Sequence, residues 1–173
     1  LEGESYESAI YEGYGPGGVA MFVETLTDNR NRTVSEVRHL FSKHNGSMAE
    51  SGAVAWVFEQ KGLVVVLKDG VEEEDLMLVA LDAGAEDISE EETTFEIYAS
   101  LPDFEAVRKA IEDAGIEIER TELTRIPQNT VPVEGKTAQQ LLTLMEMLED
   151  NDDVQRVYAN FEIDEEELAA LTA

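Results

Sequence analysis

Apolar positions dominate Val19 to Leu26, and this run predicts a strand. The period then changes. Val34, Val37, Leu40 and Phe41 recur at helical spacing, and Thr33-Val34-Ser35-Glu36 has the form of a capping box. Asp28 to Arg32 reads as the turn before that helix, and Asn45-Gly46 as its stop. Ala53 to Phe58 is expected to be a second strand, with Val54, Trp56 and Phe58 on one face and Trp56 largely buried. Residues 1–17 are polar and glycine-rich and read as a linker.

Leu63 to Leu67 is an unbroken apolar run that suits a buried strand, turned by Asp69-Gly70. Glu72, Glu73, Glu74 and Asp75 crowd the start of the next helix, where carboxylates complement the positive dipole end. Its stripe is Leu76, Val79, Ala80 and Ala83. Thr93 to Ala99 predicts a strand, and Pro102-Asp103 opens a helix with Phe104, Val107, Ile111 and Ala114 inward. Ile116 to Thr121 alternates as a half-exposed strand does, and a proline-bearing loop spans Ile126 to Val133. Thr137 to Gln140 is a second capping box, followed by the stripe Leu141, Leu144, Met145 and Leu148. Val154 to Phe161 predicts a last strand, and Asp164 to Leu171 an acidic helix. The order implies an α+β fold of two ferredoxin-like (βαββαβ) domains, the second inserted into the first. Residues 18–61 plus 133–173 form the outer domain in this reading, and 62–132 the inserted one.

Composition adds strong acidity without disorder: 12 Lys+Arg stand against 39 Asp+Glu, net −27, with 43% hydrophobic residues. The absence of cysteine excludes a disulfide framework, a thiolate metal site and a cysteine nucleophile. No membrane span or secretory leader is expected, which points to the cytoplasm, or to a mitochondrial matrix for a eukaryotic relative. The start on Leu1 reads as a fragment. The charge is uneven. Residues 62–135 hold five bases and twenty acids, net −15, whereas 28–46 hold four bases (Arg30, Arg32, Arg38, Lys43) against Asp28 and Glu36. A polyanion meeting this chain would be directed to 28–46. Composition alone reads the same four bases as a solvated helix face.

No enzyme is signalled. The string Gly13-Tyr14-Gly15-Pro16-Gly17-Gly18 lacks the preceding strand and following helix of a phosphate loop, and is expected to be an ordered turn. His39 and His44 are five apart, not the four of a helical metal pair; His44 is expected to be packed and hydrogen-bonded. Asp150 to Asp153 lacks the glycine and distal glutamate of a calcium loop. The acid runs single out no general acid–base pair. We expect no cofactor, no metal, no small-molecule substrate and no membrane partner.

The strings Tyr11-Glu12-Gly13-Tyr14-Gly15-Pro16-Gly17-Gly18 and Leu26-Thr27-Asp28-Asn29-Arg30-Asn31-Arg32-Thr33 occur in order, with Val37-Arg38 and Gly52-Ala53-Val54-Ala55-Trp56 after them. Together they closely resemble the YebC/PmpR family, over essentially the whole chain. The resemblance implies two α+β domains preceded by a basic helical domain that this chain lacks. It also implies a DNA-binding transcriptional regulator. Relatives act in translation, among them a mitochondrial activator of cytochrome oxidase subunit I synthesis and ribosome-associated bacterial factors. DNA or ribosome/RNA is thus the expected partner, contacted with help from the further domain, and a protein-interaction module is the remaining alternative. The contact residues expected are Tyr11, Tyr14, Asn29, Arg30, Asn31, Arg32, Arg38 and Lys43. Arginine forks suit phosphate, asparagine can add sugar or base contacts, and tyrosines can stack. The alternative is that Arg30 and Arg32 pair with nearby acids and hold the turn.

Overall fold

The structure is a computed structural model that describes residues 5–172. In chain order its elements are β1 (Glu7–Gly15), β2 (Val19–Thr27), α1 (Arg30–Lys43), β3 (Ser47–Ala49), β4 (Phe58–Leu67), α2 (Glu73–Asp82), β5 (Asp87–Glu90) and β6 (Thr94–Ala99). There follow α3 (Leu101–Asp113), β7 (Arg120–Pro127), β8 (Val131–Pro132), α4 (Gly135–Glu149), β9 (Val154–Ala159), β10 (Phe161–Glu162) and α5 (Glu165–Thr172). Two compact units result: Leu1–Phe58 with Pro127–Ala173, and Glu59–Ile126. Each is built on a four-stranded antiparallel sheet, so the fold is α+β with two ferredoxin-like units, the second inserted into the first. Where the chain leaves and re-enters the outer unit, the Gln128 N–H donates to the Val57 carbonyl at 2.8 Å.

The outer sheet has the order β3-β1-β2-β9. Most of the expected linker is in fact β1, paired with β2 from Glu7↔Thr27 to Gly15↔Val19; residues 1–4 lie outside the described residues. Its glycines hide the strand from a hydrophobicity reading, and they have a packing reason. A Cβ on Gly13 would stand 2.6 Å from the Ser47 carbonyl and 3.1 Å from the Phe41 ring. One on Gly15 would meet the Met21 sulfur at 2.7 Å and Leu141 at 3.0 Å. The missing side chains let α1, α4 and β3 close on β1. At the hairpin, Gly17 takes φ +83°, a conformation that side chains disfavour.

Strand β2 is covered on both faces. Val19, Met21 and Val23 face Val37 and Phe41 of α1 and Leu141, Leu144 and Leu148 of α4. Ala20 and Phe22 face Val54, Val57 and Phe58, with Tyr158 beside them. The rings of Phe22, Phe58 and Tyr158 stand 6.1–6.4 Å apart and tilted, a favourable aromatic spacing.

Of the strand expected over Ala53 to Phe58 only Phe58 is strand, the first residue of β4; before it stand a turn and a 3-10 helix at Ala55–Val57. The cause is Glu12. Its buried carboxylate accepts the N–H groups of Gly52, Val54 and Ala55 at 2.6, 2.9 and 2.7 Å, taking the donors a sheet ladder would need. Val54 and Val57 therefore turn inward three residues apart. Trp56 is turned out, 66% exposed, with its indole N–H on the Ala53 carbonyl at 2.9 Å, so the expected burial of Trp56 is corrected.

Other boundaries move for local reasons. Asn29, not Thr33, caps α1: its Oδ1 accepts the Arg32 N–H at 3.1 Å, so residues 30–32 belong to the helix. Helix α4 begins at Gly135 after Glu134, ahead of the Thr137 box. The last strand is interrupted because the Asn160 side chain accepts the Ala20 N–H at 2.7 Å, which separates β9 from β10.

The inserted unit has the order β5-β6-β4-β7. Its core joins Val64 and Val66 of β4, Phe95 and Ile97 of β6, Leu76 and Ala80 of α2, and Val107 and Ile111 of α3. Strand β5 was not expected, because Asp87 to Glu90 offers one apolar residue among acids. The strand expected over 116–121 starts at Arg120; before it, Ile116 and Ile118 pack on the core and the Glu119 N–H reaches the Val65 carbonyl.

One carboxylate ties the start of α1 to the turn before β9. Asp153 accepts from Arg32 at 2.9 Å and from the Thr33 hydroxyl at 2.8 Å. Burial alone would push its carboxyl up, but the Arg32 and Thr33 hydrogen bonds and the Arg32 charge outweigh that and hold it below the ordinary value of 3.8.

Three outcomes follow. Gly13→Ala should destabilise the outer unit by about 1–3 kcal/mol in denaturant unfolding, as overpacking against backbone does. Native Trp56 should emit at the wavelength of water-exposed indole, and a blue-shifted maximum would contradict its position. For Asp153 the lowered folded pKa means its contribution is complete above the ordinary carboxylate range and is lost as pH falls through the folded value. Asp153→Asn should therefore lower the melting temperature by several degrees at neutral pH and flatten its acid-side decline. Parallel curves for the two proteins would argue against this role.

Candidate nucleic-acid interface

The residues expected to form one contact surface fall on three. At about 100° per residue, the buried line of α1 is Thr33, Val37 and Phe41. Arg32, Glu36, His39 and Lys43 lie along one exposed flank, and Asn31, Ser35, Arg38 and Ser42 along the other. Arg30 sits at the first turn, exposed, with Glu7 at 3.8 Å. Asn29 serves the helix cap.

The flank of Arg32 is closed by acids. Its guanidinium donates to Asp153 and, at 2.9 Å, to Asp28, and these bonds hold its pKa above the ordinary value, Asp153 contributing most. Asn151 donates to Glu36 at 2.8 Å. Asp150 and Asp152 line the same depression. Arg32 is thus paired with Asp28 and Asp153, as Arg30 is with Glu7, and a phosphate approaching Lys43 on this side would meet Glu36. On the other flank, no side-chain hydrogen bond or ion pair engages Asn31 or Arg38 among the described residues, and both are exposed. Asn31 and Arg38 thus share one exposed flank, while Arg30 stands exposed at the first turn with Glu7 as its ion-pair partner.

The tyrosines separate. Tyr11 points to the helices and packs against their core, half-buried. Tyr14 lies on the opposite face, 40% exposed, opposite Ala20 in the register. The reason is the period of two in a strand: residues three apart point to opposite faces. The Nε2 of His44 is buried with no hydrogen-bond partner among the described residues, which corrects the expectation that it is hydrogen-bonded. Glu12 and Asp153, the two carboxylates that organise this unit, were not singled out. A lone acid inside a strand-like Gly/Tyr string was the available signal for Glu12; nothing local marks Asp153, whose arginine partner is 121 residues away. Among the described residues, no group of three His, Asp or Glu is placed to hold a metal ion, and no helix is long and apolar enough to cross a membrane.

The chain is similar to known proteins along almost all of its length. The family model described as TACO1/YebC second and third domain matches residues 6–161. A probable transcriptional regulatory protein of Geobacter sulfurreducens is 56% identical over 171 residues, covering 99% of this chain and 69% of that protein. One of Carboxydothermus hydrogenoformans is 52% identical over 166 residues, covering 94% and 68%. Among solved structures, a conserved hypothetical protein of Aquifex aeolicus superimposes with a TM-score of 0.86 at 47% identity, covering 95% of this chain and 68% of that one. By sequence and by fold, the chain belongs to the TACO1/YebC family, whose bacterial members matched here carry the name of transcriptional regulators.

Proposed function

We propose that the protein is a non-enzymatic, cytoplasmic regulator that binds DNA, with Arg30, Asn31 and Arg38 as its contact strip. The observation that carries this is the pairing pattern of α1. In a chain of net −27, Asn31 and Arg38 stand exposed on this flank with no side-chain partner among the described residues, and Arg30 stands exposed at the first turn beside Glu7. Arginine forks there would hold phosphates, and Asn31 between them would reach a sugar or base edge. The strip is small, so affinity in this reading draws on a further basic segment such as the longer relatives have room for. A second reading is association with the ribosome. The acidity of residues 62–135 favours it, because a net −15 surface is tolerated beside basic proteins and repelled by bare duplex.

The test compares DNA and ribosome binding at matched salt for the protein and for Arg30→Glu/Arg38→Glu. The DNA reading expects weaker duplex binding, a log–log salt slope shallower by about two phosphate contacts, and unchanged melting. Arg32→Glu should do the reverse, lowering the melting temperature while affecting binding less. Unchanged duplex binding with lost ribosome co-sedimentation would transfer the strip to the second reading. Unchanged binding in both assays would reject the strip.

A further inference from the structure

Helix α2 is apolar on two opposite sides, and only one of them is covered. Leu76 and Ala80 are fully buried in the core of the inserted unit, with Val79 and Ala83 beside them. Met77, Leu78 and Leu81 are exposed, Leu78 by 72%. At about 100° per residue these three span about 100° of the helix surface, centred about 150° from the core-facing line. They line a shallow open groove with Glu74 and Asp82. Glu73 flanks the stripe on one side, and Asp75 and Asp82 flank it on the other. All three are exposed.

We propose that this stripe is the docking site for a basic amphipathic helix of a partner protein. The stripe has the width and i, i+1, i+4 spacing that receive one apolar helix face, and helices pack by setting such ridges into grooves. The occupant's charge follows from the rim. The unit Glu59–Ile126 carries twenty acids and six bases, and acids stand on both sides of the stripe. Nucleic acid and anionic lipid are repelled by them. A second copy of this chain would set like charges against each other around its own apolar centre. A helix with Leu or Phe on one face and Lys or Arg along both borders matches both the centre and the rim.

The probe is a designed helical peptide, leucines on one face and lysines elsewhere, titrated into the isotope-labelled protein. The expected result is saturable one-to-one binding with chemical-shift changes concentrated on α2. Leu78→Ser/Leu81→Ser should weaken it by about tenfold or more with unchanged melting, since neither side chain is in the core. Glu73→Lys/Asp82→Lys keeps the apolar centre and should weaken binding while removing most of its salt dependence. Equal binding of the serine variant would overturn the proposal, as would equal binding of a peptide with glutamates in place of lysines. So would sedimentation showing that the unliganded protein self-associates through Leu78.

Discussion

From Val19 to Val23 strand β2 has no solvent face, and the outer unit is arranged around that constraint. A strand covered on both sides needs two layers to cover it, yet α1 and α4 supply only one. The second layer is the short segment 53–58, too irregular to be a strand and too short to be a stable helix. It stays in place because Glu12 accepts the N–H groups of Val54 and Ala55 and that of Gly52 just before them. Loss of those acceptors would leave buried donors unsatisfied and expose Phe22 and Phe58 together, so polar and apolar terms fail at once. The position of Trp56 follows from the same contact: with Val54 and Val57 drawn inward and Ala55 beside them, the Trp56 ring is turned toward solvent.

Asp153 does for α1 what Glu12 does for segment 53–58. By drawing in Arg32 and Thr33 it aligns the helix against the turn before β9, and it removes one arginine from the surface charge. The two flanks of α1 consequently differ in kind. One is internally neutralised and holds the unit together. The other keeps Arg38 toward solvent, in a molecule rich in acids.

What could be read from the sequence depended on whether the signal was local. The helices and the strands Val19 to Leu26, Leu63 to Leu67 and Thr93 to Ala99 carry their own periodicity, and with them the inserted α+β arrangement was readable. Strand β1 was not, because two of its inward positions, Gly13 and Gly15, are glycines chosen by neighbours distant in sequence. The Trp56 error has the same origin: alternation in Ala-Val-Ala-Trp-Val-Phe is a correct local pattern overridden by a carboxylate 42 to 43 residues upstream. At the candidate interface the residue types of 28–46 were evident, but their pairing was not. Which arginine is occupied depends on Asp153, and which tyrosine is exposed depends on the register of β1 with β2.

The hydrogen bond between Gln128 and Val57 bears on how such a chain assembles. The outer unit joins Ala20 to Asn160, 140 residues apart, and closing so long a loop carries an entropic cost that rises with its length. Once residues 59–126 are folded, their two ends meet at that bond, and the loop the outer unit must close shrinks from roughly seventy residues to a few. At about 0.6 kcal/mol per doubling, four doublings lower the closure cost by about 2.4 kcal/mol. An inserted segment that folds first would serve the outer one as a preformed clasp, and synthesis from the N-terminus would deliver that clasp before α4 and β9 arrive to use it.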